Sequence, residues 1–184
     1  MTKILGLSGS LRKNSFNTAI LRAAKTVAGD DIRIEIATLH GIPLYDGDLE
    51  ESDGIPESVG ALRERIAASD GLLIATPEYN NCIPGVLKNG IDWLSRRPTT
   101  DPHVFKGLPV AVLGASPGGF GTILAQNALL PVLRTLQAEP WFGGRLLVSQ
   151  AGTKIKDGEL ADDQTRSQVA AFVQGFAAFI AQRR

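Results

Sequence analysis

The sequence predicts an α/β fold in which a parallel sheet carries helices on both faces. Three observations predict it. Short apolar runs alternate with segments of helical periodicity along the chain. Two of these runs, Gly71-Leu72-Leu73-Ile74-Ala75 and Val110-Ala111-Val112-Leu113, are apolar without interruption, as in strands buried on both faces. Loops rich in Gly, Pro, Ser or Asn follow three of the strands, at the carboxyl ends where open parallel sheets bind ligands.

Taken in order, Ile4 to Leu7 reads as a buried first strand. Phe16, Ile20, Ala23, Ala24 and Val27 then share one helical face, with Ser15 or Asn14 as cap and Gly29-Asp30 as terminator. Ile32, Ile34 and Ile36 alternate with Arg33 and Glu35, predicting a second strand near a sheet edge. His40 to Ser58 reads as a long loop, and Pro56 suits the first turn of the helix carrying Val59, Leu62 and Ile66. After the third strand, Pro84 opens a helix with Leu87, Ile91 and Leu94 on one side. Pro98-Thr99-Thr100-Asp101-Pro102 breaks it.

The fourth strand ends at Gly114, and a helix follows from about Thr122 to Leu136. Arg145-Leu146-Leu147-Val148 is a shorter fifth strand, and Val169, Phe172, Val173, Phe176 and Ile180 form the stripe of a final helix. Strand–helix alternation of this kind implies right-handed crossovers. With no repeat or linker, one domain over residues 1–184 is expected.

Composition narrows the function classes. Hydrophobic residues make up 43% and charged residues 21%, as in ordered globular proteins. Nineteen basic residues balance nineteen acidic ones, which argues against broad nucleic-acid binding. Cys82 is the single cysteine, so neither an internal disulfide nor a cysteine-cluster metal site is expected. Met1 to Leu7 is too short an apolar run for a signal segment, and no run is long enough to span a bilayer, so a cytoplasmic protein without membrane contact is expected.

The loop Ser8 to Asn17 joins a strand to a helix N-terminus, where free N–H groups and the helix dipole favour an anion. Ser8, Ser10, Ser15 and Asn17 add neutral donors and Arg12 a charged one. The same residues equally suit a capped turn, so both readings stand at this point. The loop lacks the Gly-Lys-Ser/Thr of a nucleotide P-loop and the cysteine of a thiol phosphatase. In Thr76 to Pro84, backbone N–H groups and Tyr79 suit a planar ring, or else form a proline-bracketed turn with an exposed tyrosine. Ala115 to Gly119 allows close backbone approach to a ligand, although glycine-rich turns without ligands are also common.

Four segments together resemble the NADPH-dependent FMN reductase family, which includes quinone, chromate and azo-dye reductases. They are Gly6-Leu7-Ser8-Gly9-Ser10-Leu11-Arg12-Lys13-Asn14-Ser15-Phe16-Asn17, Thr76-Pro77-Glu78-Tyr79-Asn80, Ile83 to Trp93 and Ala115-Ser116-Pro117-Gly118-Gly119. The resemblance implies a flavodoxin-like three-layer sandwich, a five-stranded parallel sheet of order 2-1-3-4-5, and one FMN per subunit. By that resemblance Ser10, Arg12, Ser15, Phe16 and Asn17 cradle the FMN phosphate. Pro77, Glu78, Tyr79 and Asn80 border the isoalloxazine, and Ser116 and Gly119 close its other side. The helix from Pro84 to Ser95 is implied in a homodimer interface, with dimers pairing into tetramers. The family more often carries an aromatic or small polar residue where Asn81 and Cys82 stand.

The implied activity is ping-pong hydride transfer from NADPH or NADH to a quinone, or to chromate, azo compounds or free flavin. Because the cofactor carries that chemistry, no catalytic side chain and no metal are expected. Backbone N–H groups of Glu78 to Asn80 are candidates to stabilise the reduced ring, with the backbone of Glu78 mattering more than its charge. Arg12, Lys13, Arg96 and Arg97 are candidates for a nucleotide phosphate, with solvated surface the default for the last three. His40, His103 and Cys82 read as surface or structural residues, Trp93 as helix packing or a subunit contact, and Trp141-Phe142 as an anchor for the fifth strand. The competing readings are a non-enzymatic electron carrier, against which zero net charge argues, and a module of this fold that has lost FMN.

Overall fold

In the computed structural model, which describes residues 1–96 and 103–183, strand β1 (Thr2–Ser8) lies near the centre of the sheet. It leads to α1 (Phe16–Val27), β2 (Ile32–Ala37), α2 (Gly47–Asp53), α3 (Glu57–Ala67), β3 (Gly71–Ala75), α4 (Gly85–Ser95) and β4 (Pro109–Ala115). Then come α5 (Ile123–Thr135), β5 (Glu139–Pro140), β6 (Leu146–Val148), α6 (Ala151–Lys154), β7 (Ile155–Lys156), β8 (Glu159–Leu160) and α7 (Asp163–Ala181). The parallel order is β2-β1-β3-β4-β5, with β6 also paired to β4, as the resemblance implied. Pro98 to Pro102, expected to break α4, and Arg97 lie outside the described residues.

The apolar runs account for the layers. Every residue of β3 is buried, and the sheet separates two cores. One holds Ala19, Ile20, Ala24, Phe172, Phe176 and Ile180 from α1 and α7. The other holds Val59, Leu62, Ile66, Leu87, Ile91, Trp93 and Leu94 from α3 and α4. At the edge, β2 alternates buried and open residues as its sequence predicts.

Three differences have local causes. The fifth sheet position is shared, because β5 pairs with Pro109 and Val110 while β6 pairs with Leu113 to Ala115. Arg145 falls outside β6, and the chain bulges between the two segments as Trp141 packs on Phe172 at 5.0 Å. Trp141 thus anchors the strand, whereas Phe142 is 74% exposed. Inside the expected 40–58 loop, Asp46 caps α2 by accepting from the Asp48 N–H, yet α2 buries no residue and so shows no apolar period. Pro56 and Pro84 occupy cap positions just before α3 and α4. Ser15 caps α1.

Candidate cofactor site

The carboxyl ends of β1, β3 and β4 lie side by side, with Ser8 beside Ala75 and Ala75 beside Leu113. The chain leaves β1 toward β2 on one side and continues at β3 on the other, so this is where the strand order reverses. The three loops leaving these ends line one cleft. Ser10, Arg12, Ser15, Phe16 and Asn17 come from the first, Pro77, Glu78 and Tyr79 from the second, and Ala115, Ser116 and Pro117 from the third. Ala115 and Pro117 join the expected residues, whereas Asn80 and Gly119 are not part of the lining.

Close packing holds the loops. A Cβ on Gly9 would lie 3.2 Å from the Ala75 carbonyl and 3.2 Å from Pro77, so a larger residue would pry the first loop off the second. The Gly9 N–H donates to that carbonyl at 2.9 Å. His40 braces the first loop from outside. Its Nε2 lies 3.1 Å from the Leu11 carbonyl, which can only accept, so Nε2 carries the proton. Nδ1 meets the Thr38 hydroxyl at 3.0 Å.

The donor set at the first loop suits a phosphate. Ser10 and Ser15 are buried, and their hydroxyl oxygens already accept from the N–H groups of Arg12 (3.2 Å) and Thr18 (3.2 Å). Each hydroxyl proton is left to donate. Among the described residues, the N–H groups of Ser15, Phe16 and Asn17 meet no protein acceptor, as expected of a helix N-terminus. Arg12 is exposed and makes no ion pair among the described residues. Neutral hydroxyls, main-chain N–H groups and one guanidinium together match the charge and acceptor oxygens of a phosphate monoester. The Phe16 ring packs on the α1–α7 core instead.

Two expected donors are otherwise engaged. The Asn17 carboxamide donates through Nδ2 to the Ala115 carbonyl and accepts through Oδ1 from its N–H, both at 2.9 Å. That leaves the Asn17 backbone N–H for an anion. The Tyr79 N–H donates to the Cys82 carbonyl at 3.0 Å, closing a turn in which Asn80 and Asn81 have φ of 50° and 61°, the backbone of a type I′ turn. Of the three N–H groups expected to face a ring, those of Glu78 and Asn80 remain without a protein acceptor among the described residues. Tyr79 is 48% exposed at the rim. The Glu78 carboxylate turns to α5, accepting from Leu124 N–H (2.8 Å) and Ala125 N–H (3.0 Å).

Away from the cleft, Tyr45 donates to Glu50 at 2.9 Å and Arg96 pairs with the same carboxylate at 2.8 Å. The Tyr45 bond to Glu50 holds that phenol above its ordinary range. The hydrogen bond to Glu50 likewise raises Arg96. A larger hollow of about 520 Å³ opens where β5 and β6 part, lined by Trp141, Arg145, Gln168 and Phe172 among others. None of the three loops reaches it.

No described helix is long and apolar enough to cross a membrane, and no described group of His, Cys, Asp or Glu has metal-binding geometry. The family model described as NADPH-dependent FMN reductase matches residues 2–153. An NAD(P)H-dependent FMN reductase of Pseudomonas aeruginosa is 42% identical, covering 99% of this chain and 97% of that protein. A quinone reductase of Escherichia coli K12 is 36% identical over 97% of this chain and 95% of its own length. The solved structure of FerB, a flavoenzyme NAD(P)H:(acceptor) oxidoreductase from Paracoccus denitrificans, superposes with a TM-score of 0.85 at 33% identity, covering 99% and 98% of the two chains. The match to the family model across the cleft-forming loops, together with full-length relatives, shows that the chain belongs to the NADPH-dependent FMN reductase family.

Proposed function

We propose that this chain is an FMN-dependent oxidoreductase. In this reading it takes a hydride from NADPH or NADH and passes reducing equivalents to a quinone, in two half-reactions at one site. Chromate, azo compounds and free flavin belong to the same acceptor class. The observation that carries the reading is the convergence in one cleft of an anion-suited first loop, a second loop whose Glu78 N–H meets no protein acceptor among the described residues, and the third strand-end loop.

FMN, when bound, supplies the hydride chemistry. The residues of the chain bind and orient it. The hydroxyls of Ser10 and Ser15, the N–H groups of Ser15 to Asn17 and the Arg12 guanidinium hold the phosphate. Pro77, Glu78, Tyr79 and Asn80 border the ring, the second and last through their backbones. Ser116 and Gly119 stand on the other side. Nothing in this scheme asks a side chain to act as acid, base or nucleophile.

Tyr79, Phe120 and Leu124 are exposed on the segments that follow the carboxyl ends of β3 and β4. A second copy of the chain covering these apolar side chains makes the working unit a homodimer or a pair of dimers. We place the single-domain protein in the cytoplasm, consistent with its lone free cysteine.

The test is anaerobic. Protein reconstituted with FMN is expected to lose its oxidised-flavin absorbance on adding NADPH or NADH, and to regain it with benzoquinone. Light scattering of the same sample gives the mass of two or four chains. Absorbance that persists with both donors sinks the enzymatic reading, because an electron carrier stays oxidised until its partner reductase is present.

A further inference from the structure

Two side chains at the cleft are spent on the protein itself, and both end on the third loop or the helix it feeds. The Asn17 carboxamide, in the first turn of α1, bonds both main-chain groups of Ala115, 98 positions away. It continues the hydrogen-bonding edge of β4 as another strand would. Glu78, in the second loop, accepts the N–H groups of Leu124 and Ala125 in the first turn of α5. Thr122, at the cap position of α5, makes no side-chain cap bond, and its hydroxyl accepts from Gln126 at 3.2 Å. The cap of α5 is therefore supplied from another loop, 46 positions earlier in the chain.

We propose that Asn17 and Glu78 are positioning residues that bolt the third loop to the first and second and so set the width of the cleft. The inference rests on the reading of the cleft as the FMN site. Its physical content is a division of labour. Asn17 reaches the phosphate end through its backbone N–H while its side chain fixes the ring end. The Glu78 charge is met by the N-terminal dipole of α5 rather than directed at the ring. Loosening either clamp therefore weakens the hold on the ring and on the phosphate together, whereas removing a true phosphate ligand weakens only the hold on the phosphate.

The experiment compares dissociation constants for FMN and for riboflavin, which lacks the phosphate. The proteins are the wild type, Glu78→Ala, Glu78→Gln and Asn17→Ala. Glu78→Ala and Asn17→Ala are expected to weaken both ligands by a similar factor of about tenfold, the scale of one lost hydrogen-bonded contact. Glu78→Gln is expected to recover most of that loss, because its amide oxygen still accepts both N–H groups. Three results would overturn the proposal. One is loss of FMN binding alone in Asn17→Ala, which would make the carboxamide a phosphate ligand. Another is Glu78→Gln as impaired as Glu78→Ala while its Leu124 and Ala125 amides exchange as slowly as in the wild type, which would put the charge itself to work on the ligand. The third is unchanged affinity in both alanine variants.

Amide hydrogen exchange on the protein without ligand separates failure of the clamp from failure of the cofactor reading. In Glu78→Ala the Leu124 and Ala125 amides are expected to exchange faster, and in Asn17→Ala the Ala115 amide. Unchanged exchange removes the clamp even if FMN binds. Faster exchange in a protein that binds no FMN keeps the clamp and removes the cofactor. If Glu78→Ala does not fold, Glu78→Gln and Asn17→Ala carry the comparison.

Discussion

Replacing Gly114 with alanine is expected to cost at least about 3 kcal/mol of stability, the upper range for overpacking a filled core. The added Cβ would lie 1.8 Å from the Thr122 hydroxyl oxygen, 2.8 Å from its Cβ and 2.4 Å from the Thr76 carbonyl oxygen. None of these neighbours can yield easily. Thr122 and Thr76 are fully buried. The Thr122 hydroxyl is held by Gln126, which also donates to the Leu146 carbonyl at 3.0 Å. The Thr76 N–H donates to Leu113 at 3.0 Å, tying the second loop to β4. Relief therefore requires the second and third loops to part, and FMN affinity falls along with stability. The double variant Gly114→Ala/Thr122→Ala removes the hydroxyl but keeps the contact with the Thr76 carbonyl, so it recovers only part of the loss. Urea unfolding of the three proteins checks this, and a Gly114→Ala midpoint matching the wild type would refute the packing described.

Replacing Trp93 with alanine is expected to cost about 3–5 kcal/mol, the usual range for removing a buried large aromatic. Trp93 is wholly buried in the α3–α4 core. Its indole N–H donates to the Pro43 carbonyl at 2.9 Å, an oxygen that also accepts from Asn89 at 2.8 Å. Its ring meets Tyr45 edge-on at 4.9 Å. The side chain thus fills the core and pins the segment leading to α2. Trp93→Phe keeps much of the apolar volume and leaves Pro43 with the Asn89 bond, so its cost should be less than half that of Trp93→Ala. Equal losses for the two, measured by urea unfolding, would assign the effect to the hydrogen bond rather than to packing.

How much of this was legible in the sequence depended on where the information sat. The strands β3 and β4 and the α7 stripe were readable because burial on a sheet writes an unbroken apolar run and burial on a helix writes a period. The stripe residues Val169, Phe172, Val173, Phe176 and Ile180 are all buried. Helix α2 was not readable, because it is held by the Asp46 cap and buries nothing. The β7–β8 hairpin has only two residues per strand, too few for a period, although its Asp157-Gly158 turn, with φ of 51° and 82°, is a strong local signal. The split of the fifth strand follows from Trp141 and its neighbouring glycines, a tertiary packing event with no periodic trace.

The site divided in the same way. Its three loops were visible as strand-ending clusters of Gly, Pro, Ser and Asn. The tasks of individual groups were set by partners 46 and 98 positions away. Asn17 therefore reads as a phosphate contact although its side chain binds protein, and the α5 partner of the Glu78 carboxylate leaves no trace near it in the sequence. Likewise, nothing near His40 in the sequence points to Leu11, 29 positions earlier.

We propose that the first loop holds the phosphate of FMN. Comparing FMN with riboflavin on the wild-type protein, by quenching of flavin fluorescence, tests it most directly. The charged hydrogen bonds available from Arg12, Ser10, Ser15 and the α1 N-terminus predict that FMN binds at least about 100-fold more tightly, equivalent to about 2.7 kcal/mol. Equal affinity for the two flavins would contradict the account.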